Sequence, residues 1–109
     1  MIEIKIEIND DKIIRELVLK GHSRYDEYGK DIVCAAVSIL VYTAYLSLKK
    51  IPEIKVEYID DKRSVILSLK NVLKEIEGEV RGITLFLVSG LKLLSEKYQE
   101  NVNLNLIEN

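Results

Sequence analysis

Ile2, Ile4, Ile6 and Ile8 alternate with Glu3, Lys5 and Glu7. A period of two over residues 1–8 predicts a strand with one buried face. Asn9-Asp10-Asp11 supplies turn chemistry, after which IIRELVLKG runs back as a hairpin partner and ends at His22. The pattern changes at Asp31. Its carboxylate suits a helix N-cap, and the residues that follow are apolar almost all round, as expected of a helix packed across a sheet. Lys49 and Lys50 complement the dipole at the far end, and Pro52 forbids continuation. EIKVEYID and SVILSLKN alternate again, with Asp60-Asp61-Lys62-Arg63 as the connection. Ile83, Phe86, Leu87, Gly90, Leu91 and Leu94 recur at helical spacing within a second helix, from near Glu75 to about Gln99. Gly78 and Gly82 weaken its first turns. The tail NVNLNLIEN alternates once more. The order ββαββαβ predicts a two-layer α+β sandwich, with an antiparallel or mixed sheet of about five strands and both helices on one face.

A chain of 109 residues, 48% apolar and 31% charged, is sized for one domain spanning residues 1–109. The net charge of −2, with both signs interspersed, offers no footprint for direct nucleic-acid binding. One cysteine and one histidine make neither a disulfide nor a metal site, so no metal or other cofactor is expected. The alternating N-terminus does not read as a signal peptide. The uncharged run Ile32–Leu48 is at the lower limit for a membrane span, and its hydroxyls favour a buried helix instead. A soluble, cytoplasmic protein is the expectation.

The lone cysteine and histidine fall in one stretch, GHSRYDEYGKDIVCAAVS. A single cysteine on an apolar helix is ordinarily a small core filler. Cys34, however, lies in the first helical turn, where unpaired N–H groups and the dipole favour a thiolate. His22, from the end of a strand, would be placed to take the thiol proton or protonate a leaving amine, against a plain reading as an exposed loop residue. Asp31, Cys34 and Ser38 follow i, i+3, i+7 and share a helical face. Asp31 can cap the helix or orient His22, two roles that compete for one carboxylate. Ser38 lines a pocket or simply permits close packing. The loop of residues 23–29, with Tyr25, Tyr28 and Gly29, and Gly21 just before it, has the composition of a segment that closes over substrate.

Gly21-His22, then Gly29, then Asp31-Ile32-Val33-Cys34-Ala35-Ala36-Val37-Ser38 resembles the signature of the ribosomal-processing cysteine protease (Prp) family. The resemblance implies a bacterial cysteine endopeptidase with Cys34 as nucleophile and His22 as general base. Its substrate would be the short N-terminal extension of large-subunit ribosomal protein twenty-seven, an extended segment with apolar or aromatic residues around the cut. It also implies a two-layer α+β fold and a homodimer. Ser23 stands where alanine is common and Gln99 where proline is common; neither touches the dyad. Two other readings stand beside it: a non-catalytic, ribosome-associated interaction domain, and a redox-sensing thiol that leaves His22 without a role.

Overall fold

The computed structural model describes residues 1–21, 32–61 and 63–109. Its elements are β1 (Ile2–Ile8), β2 (Ile14–Lys20), α1 (Ile32–Lys49), β3 (Lys55–Asp60), β4 (Ser64–Lys70), α2 (Glu77–Lys97) and β5 (Val102–Glu108). The sheet runs β3-β4-β2-β1-β5. β1 pairs with β5 in parallel, and the other pairings are antiparallel. The sheet is therefore mixed, as the α+β reading allows.

Alternation decides the layers. Ile2, Ile4, Ile6 and Ile8 are buried together with Leu17, Leu19, Leu67 and Leu69 under the helices. The opposite face carries Glu3, Lys5, Lys20, Asn103 and Asn105 around a shallow polar depression. β2 breaks strict alternation, because the register shifts between Glu7 and Ile8 and Arg15 is the extra residue. That bulge keeps Ile14 on the buried face with Leu17. It also removes the Ile14 N–H from the ladder, and α2 supplies the replacement. The Thr84 hydroxyl, buried, accepts from Ile14 N–H at 3.1 Å and donates to the Val80 carbonyl at 2.8 Å. Arg81 Nε donates to the Asp11 carbonyl at 2.8 Å, which ties the same hairpin to the same helix.

Two boundaries differ from the sequence expectation. α2 begins at Glu77, after a 3-10 turn over Lys74–Ile76, and no side chain caps its start. The turn satisfies early N–H groups instead, Ile76 N–H donating to the Leu73 carbonyl and Glu77 N–H to that of Lys74. Asp60, expected in the β3–β4 connection, is the last residue of β3 and pairs with Val65. The turn proper is held by the Asp61 carboxylate, which accepts from the N–H groups of Arg63 and Ser64 at 3.1 and 2.8 Å. Those two bonds hold the Asp61 carboxyl below its usual range.

α1 buries one stripe, Val33, Val37, Val41, Ala44 and Leu48. By length and composition it would pass for a membrane span, yet Ile32, Ile39, Tyr42 and Leu46 face outward. The helix expected to pack across the sheet does so through that stripe, while its opposite side is exposed. α2 approaches α1 closely at Gly90, where an added Cβ would press on the Leu40 side chain. Replacing Thr84 by Val, nearly isosteric, leaves the Ile14 N–H without its acceptor. A loss of about 1–3 kcal/mol in unfolding free energy is expected from denaturant titration; an unchanged midpoint would show that the bulge does not need this bond.

Candidate active site

The sheet brings several strand ends to one edge. β1 begins there at Ile2, β2 ends at Lys20, β4 begins at Ser64 and β3 ends at Asp60. The register lines them up, Glu3 opposite Lys20, Lys20 opposite Ser64, and Val65 opposite Asp60. α1 starts over the same edge. A cavity of about 310 Å³ opens between them, lined by Ile2, Leu19, Gly21, Cys34, Val37, Ser38, Asp60, Arg63, Ser64 and Val65.

Each lining side chain has a local cause. The buried stripe through Val33, Val37 and Val41 fixes the rotation of α1, so Cys34 and Ser38, each one residue further on, look toward β3 and β4. Cys34 is the third residue of α1 and is half-buried. Gly21 leaves β2 with φ at +86°, and a Cβ there would collide with the Met1 carbonyl oxygen. Only glycine allows the chain to turn away at this point so close to the start of β1.

A second cavity of about 450 Å³ adjoins the first and shares Leu19, Ser38, Asp60 and Val65 with it. Its far wall is aromatic. Tyr45 and Tyr58 stack with ring centroids 4.7 Å apart, and Tyr42 meets Tyr58 edge-on at 5.3 Å. Burial pushes the Tyr58 phenol above its ordinary pKa, and the Asp60 carboxylate, followed by Tyr42 and Tyr45, adds to the shift.

Of the residues singled out in the sequence, Gly21, Cys34 and Ser38 come together in one cavity, and the shared face of Cys34 and Ser38 is as the spacing predicts. His22, Tyr25, Tyr28, Gly29 and Asp31 lie outside the described residues. Asp60 and Arg63, which the sequence places in the hairpin connection, and Ser64, which it places at the start of the following strand, also line the cavity. For Asp60 the signal was present: Val56, Tyr58 and Asp60 continue one alternation, the first two half-buried and Asp60 exposed at the cavity rim. Among the described residues no group of three acidic, histidine or cysteine side chains is placed to hold a metal ion.

A thiol at a helix start, facing a cleft, is the arrangement of a cysteine hydrolase, and comparison with known proteins agrees. Residues 1–103 match the family described as cysteine protease Prp. The ribosomal processing cysteine protease Prp of Staphylococcus aureus is 26% identical over 105 residues, covering 96% of this chain and 98% of that protein. Among solved structures, the S. aureus protease with a covalently linked product peptide superposes with a TM-score of 0.83 at 24% identity, covering 97% of this chain and 99% of that one. A Streptococcus mutans protein superposes at 0.82 with 25% identity, covering 100% and 96%. The S. aureus protease with a substrate peptide gives 0.78 at 24% identity, covering 97% and 99%. The chain belongs to the cysteine protease Prp family. It is a cysteine protease of the ribosomal-processing type, and the reading as a non-catalytic interaction domain falls.

Gly21→Ala combines a left-handed backbone with a collision against Met1. It should lower stability by more than about 1 kcal/mol, read as a shift in denaturant midpoint. A variant as stable as the parent would mean that this edge of the sheet relaxes freely.

Proposed function

We propose that the chain removes the N-terminal extension of large-subunit ribosomal protein twenty-seven in the bacterial cytoplasm, with Cys34 as nucleophile and His22 as its proton-transfer partner. One observation carries the reading: Cys34 sits in the first turn of α1 and opens into a cavity that Gly21, the residue bonded to His22, also lines. In this mechanism Cys34 Sγ, as thiolate, attacks the scissile carbonyl and forms a C–S bond. His22 gives its proton to the departing amine as the C–N bond breaks. Water, deprotonated by His22, then hydrolyses the thioester and restores the thiol. The oxyanion is held by first-turn N–H groups of α1, that of Cys34 included. Asp31 serves as helix cap or as orienter of His22, Ser38 borders the reacting thiol, and residues 23–29 with Tyr25, Tyr28 and Gly29 cover the bound segment. The covalently linked product peptide carried by the S. aureus protease supports a covalent route.

The test is incubation with the extended precursor, with product masses read by mass spectrometry. The wild-type protein should release one N-terminal peptide, Cys34→Ala none, and His22→Ala should slow release by about 10²–10⁴-fold. Full processing by Cys34→Ala contradicts the assignment of the nucleophile.

We further propose a homodimer through the outer face of the helices. Ile39, Leu85, Phe86 and Leu93 are 64%, 68%, 71% and 54% exposed there. Of these, Ile39 and Phe86 line an apolar groove of about 840 Å³ between α1 and α2. A two-fold interface must be complementary to itself. α2 carries both halves of such a contact, the projecting Phe86 and, one turn earlier, Gly82, which like Gly78 has open space where a Cβ would stand. Sedimentation velocity at micromolar concentration should show a dimer for the wild type and a folded monomer for Phe86→Glu; a monomeric wild type rules the interface out.

A further inference from the structure

Asp60 is the only carboxylate among the described residues that lines either of the two joined cavities. Its place is rigidly determined. It ends β3 opposite Val65, on the same face as Val56 and Tyr58. The turn immediately after it is clamped by the Asp61 carboxylate, which takes N–H bonds from Arg63 and Ser64 and a hydroxyl contact from Ser64 at 3.2 Å. The field of Asp60 reaches into the cleft, since it contributes to the raised pKa of Tyr58. Around it, among the described residues, the titratable or charged groups are Cys34 and Tyr42 on α1, Tyr58 on β3 and Arg63 in the turn. Lys20, although paired next to Ser64, faces the opposite side of the sheet.

A negative charge in this position opposes the start of α1. The helix end favours a thiolate, whereas a nearby carboxylate disfavours one and favours any cation beside it. We propose that Asp60 is a positioning residue for the protease reaction, setting the charge balance of the Cys34 cavity so that the thiolate forms next to a cation and not alone. This rests on the reading of Cys34 as nucleophile, but the titration that tests it does not require cleavage. Under this arrangement an unaccompanied Cys34 stays largely a thiol, slow to react with stray electrophiles. Arg63 lies on the same rim, and because it and Asp60 are both exposed there, solvent and salt screen both charges.

Cys34 is the only cysteine, so thiolate absorbance at 240 nm and the iodoacetamide rate both report on it alone. Asp60→Asn keeps the side-chain shape and removes the charge. Its thiol should titrate at lower pH than that of the wild type, with about three- to tenfold more thiolate below the midpoint, or about half to one pKa unit. Asp60→Glu should stay near the wild type, and raising the salt concentration should shrink the difference. In the cleavage assay the acidic limb of the kcat/KM profile of Asp60→Asn should move to lower pH with the Cys34 thiol. A thiol midpoint unchanged or raised in Asp60→Asn overturns the proposal, even if cleavage proceeds. Absence of cleavage by the wild type counts against the protease reading instead, and the titration still decides the role of Asp60.

Discussion

Burial of a single stripe on α1 governs the rest of the structure. Val33, Val37, Val41, Ala44 and Leu48 must meet the isoleucines and leucines of the sheet, because neither face is stable in water alone. That contact fixes both the rotation and the position of the helix. With Val33 and Val37 down, Cys34 and Ser38 are turned about a hundred degrees round the axis, toward β3 and β4. A helix rotated by one residue would bury the thiol and leave the cavity at the sheet edge without it. The place of Cys34 is therefore fixed by packing along those five residues.

The sheet contributes the other half of the cavity through topology. Three antiparallel pairings and one parallel pairing bring the start of β1, the end of β2, the start of β4 and the end of β3 to one edge. Residues distant in sequence, Ile2, Gly21, Cys34, Asp60 and Ser64, thereby line one space. The opposite edge is anchored by the hairpin around Asn9, whose side-chain oxygen accepts from the N–H groups of Asp11 and Ile13 at 2.9 and 3.1 Å. There the bulge at Arg15 is repaired by Thr84. The end that carries the Cys34 cavity and the end that carries the structural repair are thus separated by the length of the strands.

Much of this was legible in the sequence, because burial imposes period two on strands and a stripe on helices. The four alternating isoleucines could hardly form anything but β1, and the helical face shared by Cys34 and Ser38 followed from their spacing. Three features were not legible. The bulge at Arg15 depends on a partner seventy residues away, Thr84, which local pattern does not reveal. The outward apolar residues of α1, such as Ile39, look like core in a sequence, since hydropathy does not say which neighbour covers a side chain. Asp60 was taken for turn because aspartate favours turns, whereas the strand alternation, continued by one residue, points it into the site. Local propensity and tertiary alternation competed there, and the second prevailed.

The central claim is that Cys34 becomes covalently acylated by the N-terminal side of its substrate. Rapid acid quenching of the protein with the extended ribosomal precursor, followed by intact-mass and peptide-mapping spectrometry, tests it most directly. The account predicts a transient species heavier than the protein by the released extension less one water, with the added mass on Cys34. Complete cleavage with no such species at any quench time, or an adduct on another residue, would contradict it.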